Sequence, residues 1–519
     1  MTDFGANDGQ GRPSEAGGRN LPGQSRRVAT TAQNIHSAIS LHQQGRLREA
    51  EQLYRAALEV NESDFDCLHN LGLLHAQERR FEEAIRLLRA GARQDPRSVE
   101  AHSNLANVLA TLERHDEAAA GFRIAIALKP DFAEAHNNLG KALAMQGHIE
   151  EAAGRYAHAL ALRPDYADPH LNLGNVRREQ GRFTEAAAHY GQALAIDPRL
   201  AEAHYRLADV LGKQGRIGEA TGRYQRALAL QPDYAEAWLG LGGAFEQAQR
   251  HFDAIAAYDK ATNLAEAWLG RARVLKRLNR LPEAVVAYRQ ALAKGGDPEV
   301  IRFFLASLGA EPAPRAAPPH LIRTVYDQHS AHYDQHMVGT LKYRIPDLLL
   351  DAMARYMPSR ALDILDLGCG TGLLGARFSP LARTLIGVDI SSKMLAIARQ
   401  RRIYDDLVCS ELVELLQARS ARYDVAIAAD LLAYFGDLTS VFREVRGALR
   451  AGGLFGFSVE ACEGLDFALG PALRYAHSAA YLRRLSQEHG FLVETIEAKA
   501  LRRENGNDVA GYIAVLRHA

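Results

Sequence analysis

From Thr31 onward the sequence copies itself every 34 residues, and any fold proposed for the chain has to satisfy that period. Copies begin at Thr31, Phe65, Val99, Ala133, Ala167, Ala201 and Ala235, with an eighth at Ala265. The seventh place holds Leu71, Leu105, Leu139, Leu173, Leu207 and Leu241. The twentieth is alanine throughout (Ala50, Ala84, Ala118, Ala152, Ala186, Ala220, Ala254, Ala284), and the twenty-fourth carries a ring or leucine from Tyr54 to Tyr288. A small residue beside a large one lets two helices cross closely. Pro96, Pro130, Pro164, Pro198 and Pro232 then end the second helix, because proline supplies no N–H and clashes with the preceding turn. A unit this short cannot bury its apolar face alone, so neighbours must stack.

This period and pattern resemble the tetratricopeptide repeat, and they cover residues 31–298 in eight copies. The resemblance implies a superhelix with a concave groove that takes a polypeptide. Asn70, Asn104, Asn138 and Asn172 recur at the sixth place, and a regular row of carboxamides can pair with successive peptide groups of an extended chain. This resembles the asparagine ladder of O-linked N-acetylglucosamine transferases. The same residues equally suit capping or solvating the first helix of each pair. His102, His136, His170 and His204 form a second row, but equivalent places in stacked repeats lie too far apart to converge on a metal, so packing is expected and no metal site. Between the last two copies the spacing falls to 30, which predicts a local break in the superhelix.

The 519 residues exceed one typical core. Sixty-two basic residues balance sixty-two acidic ones, giving no electrostatic footprint for nucleic acid or a membrane surface. No apolar run reaches membrane-spanning length. Four scattered cysteines suggest neither a disulfide framework nor zinc, and point to a reducing cytoplasm. Residues 1–27, rich in Gly, Asn, Asp and Ser, read as a disordered leader. Residues 299–320 read as a linker whose Pro/Ala-rich stretch, 310–320, is a semi-rigid spacer.

The chemistry is written further on. Residues 363–372 read Asp-Ile-Leu-Asp-Leu-Gly-Cys-Gly-Thr-Gly, and a second apolar run ends on Asp389. Glycines after a buried strand let backbone approach a ligand, and an acid at the tip of the next parallel strand can hold a ribose diol. The spacing Gly368-x-Gly370-x-Gly372 is not the G-x-G-x-x-G of dinucleotide sites, and Asp366 would repel a diphosphate while suiting an ammonium group. The string resembles motif I of the class I S-adenosylmethionine-dependent methyltransferases. Apolar runs at 362–367, 384–389, 406–409, 423–429, 453–459, 491–498 and 509–516 match that family's Rossmann-like seven-stranded α/β domain over 361–519. The whole chain resembles the bacterial tetratricopeptide-repeat methyltransferases, for which the family sets activity and cofactor but no acceptor.

The resemblance implies that S-adenosylmethionine lies against Gly368, Cys369, Gly370 and Gly372, with Asp366 nearest its amino group and Asp389 on the ribose. Ile390 or Met394 would pack on the adenine, and Glu411 would lie near its amino group, though the family usually has Asp there. Residues 321–360 form a helical lid, whose Tyr326-Asp327-x-x-x-x-x-Tyr333-Asp334 run resembles the segment that folds over the cofactor in small-molecule methyltransferases. Tyr326, Tyr333 and His336 are therefore lid candidates, or helix-capping residues. Asp430-Leu431-Leu432-Ala433-Tyr434 is not the Asn/Asp-Pro-Pro-aromatic tetrad of base or amide methylation. Asp430, Tyr434 and His477, in that order, are the candidate bases, needed only if the acceptor carries a proton. The 474–478 run either lines the acceptor pocket or caps a helix at Ser478. The leading expectation is methylation of a substrate recruited by a groove-bound polypeptide. The alternatives are a small-molecule methyltransferase using its repeats for assembly, and a non-catalytic adaptor that binds the cofactor.

Overall fold

A computed structural model describes residues 22–359, 361–417, 422–504 and 506–519. Residues 1–21 of the expected leader lie outside these. Its last part is corrected: the chain is helical from Pro22 to Gln43, and no glycine or proline interrupts it after Ser25. The chain divides into two compact units, Met1–Ala244 and Phe245–Ala519, at a point inside helix Ala235–Gln247.

In the first unit each copy is a helix pair, such as Phe65–Gln77 with Phe81–Gln94. Every twentieth-place alanine is fully buried beside the twenty-fourth-place side chain. The approach is so close that a Cβ on Gly140 would lie 2.5 Å from the Tyr156 ring, and one on Gly174 2.4 Å from Tyr190. Second helices end at Gln94, Leu128, Leu162, Ile196 and Leu230, just ahead of the prolines. The turn within each pair needs one left-handed residue at the fifteenth place. Gly45, Gly147, Gly181 and Gly215 supply it, but so do Arg79 (φ 62°) and Glu113 (φ 59°). The histidine row packs: His102, His136 and His204 each reach the carbonyl of Pro96, Pro130 or Pro198 at 3.1 Å, tying a helix start to the turn before it. Trp238 does the same to Pro232 at 2.9 Å, whereas His170 meets His189 at 3.3 Å.

The second unit opens on the shortened spacing. The missing residues come out of helix His251–Tyr258, which has 8 residues where its counterpart Ile217–Leu230 has 14. Helices Ala265–Arg277, Leu281–Ala293 and Pro298–Ser307 come next, closing over Leu275, Tyr288, Ile301 and Leu305. The spacer expectation is corrected here. Residues 298–307 are helix, and 310–318 form a strap fastened to Tyr434, Gly436 and Tyr475. Its prolines keep it extended, and extended backbone with accepting carbonyls can add to an edge. Ala317 N–H donates to the Tyr434 carbonyl at 2.8 Å, Gly436 N–H to the Arg315 carbonyl at 2.8 Å, and the Tyr475 hydroxyl to the Pro314 carbonyl at 2.6 Å. Phe303, Ala317 and Tyr475 bury together beneath it.

Helices Pro319–His329 and Ile345–Ala354 occupy the expected lid, joined by turns over 330–340. The sheet has nine strands among the described residues: β1 Leu362–Leu367, β2 Ala382–Asp389, β3 Asp406–Cys409, β4 Tyr423–Ala428, β5 Leu449–Ala461, β6 Phe467–Leu469, β7 Tyr475–His477, β8 Phe491–Glu504 and β9 Asn507–His518. β3, β2, β1, β4 and β5 run parallel in that order, and the long β8–β9 hairpin adds antiparallel to β5. β6 and β7, too short to show as apolar runs, extend the carboxyl end of β5, where Glu460 pairs with Ala476. The parallel strands are nearly continuous apolar runs because helices cover both faces.

Candidate cofactor and acceptor site

At the tip of β1 the chain turns through Gly368 (φ 66°), Gly370 (φ 55°) and Gly372 (φ 91°), a left-handed path that side chains disfavour. A Cβ on Gly368 would press to 2.9 Å from Leu431, and one on Gly372 to 3.0 Å from Arg401. Asp389, at the tip of β2, accepts the Gly370 N–H at 2.9 Å and the Ser391 N–H at 2.8 Å. Burial raises its carboxyl, against the pull of those two donors, so further hydroxyl donors would be welcome there.

Two aspartates of the lid fasten it to this turn. The Ser391 hydroxyl, which also caps helix Ser392–Gln400, donates to Asp327 at 2.5 Å. Asp334 takes the Thr371 hydroxyl and the Arg401 guanidinium, while Arg401 Nε holds the Thr371 carbonyl at 2.6 Å. Between lid, strap and strand tips lies a cavity of about 790 Å³.

Gly368, Gly370, Asp389, Ile390, Glu411 and Tyr333 line it. Asp366, Cys369, Gly372 and Met394 are not among the lining residues. Asp366 is fully buried under the turn, where Oδ2 accepts the Tyr404 hydroxyl at 2.7 Å and Oδ1 has no partner. Burial pushes its carboxyl up to about 7. Expected nearest an amino group, Asp366 does not line the cavity, and the hydroxyl that reaches it comes from Tyr404, 38 residues on. Cys369 is buried, with its thiol raised by burial, and Met394 packs in the core at 1 % exposure. His336 is exposed and does not line the cavity.

Of the candidate bases, Asp430 and Tyr434 line the cavity and His477 does not. Asp430 sits at φ 62° with its carboxylate committed to Arg474 and 3.5 Å from Arg502. Arg474 also pairs with Glu460, and Arg502 bonds Glu460 at 2.6 Å and Glu504 at 2.8 Å. Burial would lower Arg474, but Asp430, Tyr434 and Glu460 outweigh it and hold its guanidinium charged. Asp430 is thus an ion-pair partner before it is a base. The Tyr434 hydroxyl lies 2.6 Å from that of Tyr326 and accepts from Arg474 at 3.2 Å, so this pair brings hydroxyls to the cavity. His477 is fully buried, 3.1 Å from the Gly436 carbonyl, and burial lowers it to about 4. Ser478 is the helix cap, accepting the Tyr481 N–H at 3.2 Å. Arg474 was within reach of sequence reading, but Tyr404, Arg502 and Glu460 left no local signal.

The asparagine row is half-buried and spends its amides on the repeats. Asn70 donates to the Asp66 carbonyl at 2.8 Å in its own helix. Asn104, Asn138 and Asn172 reach back one repeat, to His69 at 3.3 Å, Asn107 at 3.0 Å and Asn137 at 3.0 Å.

A family model described as a methyltransferase domain matches residues 365–455, and tetratricopeptide-repeat models match 37–99, 69–131, 103–167, 174–215, 205–265 and 265–308. The chain joins tetratricopeptide repeats to a methyltransferase domain. This repeat–methyltransferase chain is 28% identical to a malonyl-[acyl-carrier protein] O-methyltransferase of Enterobacter lignolyticus, over 30% of the chain and 59% of that protein. It is 26% identical to a ubiquinone biosynthesis O-methyltransferase of Albidiferax ferrireducens, over 35% of the chain and 75% of that protein. The chain thus spans less than two thirds of the Enterobacter relative. A tetratricopeptide repeat protein from Parabacteroides merdae has 16% identity and a TM-score of 0.39, over 45% of this chain and 92% of that one. No helix among the described residues is long and apolar enough to cross a membrane.

Proposed function

We propose that the chain binds S-adenosylmethionine in the cavity above the Gly368–Gly372 turn and transfers its methyl group to an acceptor brought by a polypeptide bound to the repeats. The observation that carries this reading is the joint geometry of Gly370 and Asp389: the carboxylate holds the turn open by its N–H and keeps lone pairs for a diol. The residues present fit the cofactor. The turn has no Cβ to obstruct it, Ile390 offers an apolar side, and Glu411 stands exposed at the rim. Bound there, the sulfonium supplies an electrophilic methyl group; the protein supplies alignment and desolvation. Lid and strap residues wall the cavity, and the Tyr326–Tyr434 hydroxyls, with Arg474 donating to Tyr434, stand where an acceptor proton would need a partner. The repeats are read as the recruiting surface, with Asn104 and Asn172 fixing its shape as well as offering carboxamide oxygens, while the Asn138 oxygen accepts from Asn137 at 3.2 Å. Four free cysteines suit a cytoplasmic setting.

The test is label transfer from methyl-tritiated S-adenosylmethionine to lysate, using the full chain and a variant with all four asparagines replaced by alanine. Labelling of a discrete species that weakens in the variant supports the reading. Cofactor binding without any transfer contradicts it in favour of an adaptor.

A further inference from the structure

The cavity has two banks, and only the inner one belongs to the methyltransferase domain. The outer bank is Pro298, Arg302 and Phe303 of the helix that ends the repeats, with Pro312, Pro314 and Pro318 of the strap. All precede residue 365, where the methyltransferase match begins. The cavity of about 790 Å³ lies high in the ~300–1,000 Å³ range of ligand pockets, and its outer bank extends past the residues read as the cofactor's seat. The outer bank is also fixed in place. Phe303 is fully buried with its ring 6.2 Å from Tyr475, and the strap is bonded on both sides of Ala316.

Its chemistry is apolar. At the inner end Asp430 is paired with Arg474, which it shares with Glu460, so neither of the two is a free charge. At the rim, exposed Arg302 lines the same cavity as two acids, Glu299 and Glu311. With two acids against one cation at that rim, an anionic acceptor meets an acidic excess and would be stripped of water against the strap's prolines, which is costly. An uncharged one finds the hydroxyls of Tyr326 and Tyr434 at the inner end and an apolar wall for its body.

We infer that the repeat-ending helix and the strap form the acceptor subsite, and that this subsite selects an uncharged, largely apolar acceptor. This rests on reading the inner bank as the cofactor's seat. Acceptor choice then resides in residues 298–318, outside the matched domain.

The test uses the full chain saturated with S-adenosylhomocysteine and titrated with N-phenyl-1-naphthylamine, an uncharged probe that brightens in apolar surroundings. Ile322→Trp fills the chamber from the lid side, and Pro312→Trp fills it from an exposed rim position that cannot disturb folding through the core. The wild type should bind the probe, both variants at least ~10-fold more weakly, and 1-naphthyl phosphate at least ~10-fold more weakly than the neutral probe. S-adenosylhomocysteine affinity should stay within about threefold. No probe binding, equal binding by wild type and variants, or equal binding of the two probes overturns the subsite. Probe binding with this pattern but no S-adenosylhomocysteine binding overturns the cofactor reading and leaves the subsite standing.

Discussion

The hydroxyl of Ser391 donates to the carboxylate of Asp327 at 2.5 Å while accepting the Met394 N–H at 3.1 Å. One side chain therefore caps the helix after β2 and latches the lid over the cavity. Ser391→Ala removes both contacts, and a lost cap and a lost hydrogen bond cost about 1 kcal/mol each. The variant is expected to unfold about 1–3 kcal/mol more easily in urea. Cofactor should also leave it faster in stopped-flow, whereas a role in capping alone would leave release unchanged.

Asp366 makes stability depend on pH in a defined direction. Its carboxyl sits near 7 in the folded protein because of burial, against about 3.9 unfolded. Between those values the folded state holds a proton that the unfolded chain releases, so stability falls as pH rises from about 4 to 7 and stays low above that. The swing is on the order of 4 kcal/mol at most. Asp366→Asn should flatten this slope in thermal melts of the ligand-free protein and be the more stable form at pH 8; an unchanged slope would assign it to other groups.

Tyr434 and His477 separate a cavity hydroxyl from a buried ring. Tyr434→Phe should lower kcat roughly tenfold to hundredfold while leaving cofactor affinity intact. His477→Phe should cost about 1 kcal/mol of stability through the lost Gly436 contact and leave the pH profile of kcat unmoved, since the ring is already neutral above about 4. A shifted profile in the second variant would return His477 to the chemistry.

Four turns of the repeat array put a residue other than glycine in the left-handed place: Arg79, Glu113, Gln249 and Asn279. Arg79 and Glu113 occupy the left-handed place that glycine fills in four other copies. Arg79→Gly and Glu113→Gly should each raise stability by about 0.5–1 kcal/mol, less the added entropy of the unfolded chain. Urea midpoints read this directly, and a fall in midpoint would mean that their side chains do more than turn the backbone.

The repeats were legible because one local rule, small beside large at a fixed period, recurs eight times, and the glycine turn with Asp389 because strand, turn and acid come one after another in sequence. What escaped sequence reading is set by distance along the chain. Tyr404 captures Asp366 from 38 residues away, and Arg502 completes the Asp430 cluster from the far end of the sheet. The 310–318 stretch reads as extended, which it is, but nothing local says that extended backbone will bond to Tyr434 and Gly436. His477 looked available because a histidine before a helix resembles a loop residue; short strand β7 buries it.

Calorimetric titration of the full chain with S-adenosylmethionine, wild type against Asp389→Ala, asks whether Asp389 and the Gly368–Gly372 turn hold the cofactor. One site per chain is expected in the wild type, and a loss of about 3 kcal/mol, roughly hundredfold, in the variant. Absence of binding at about millimolar cofactor, or equal affinity of the two proteins, would contradict that expectation.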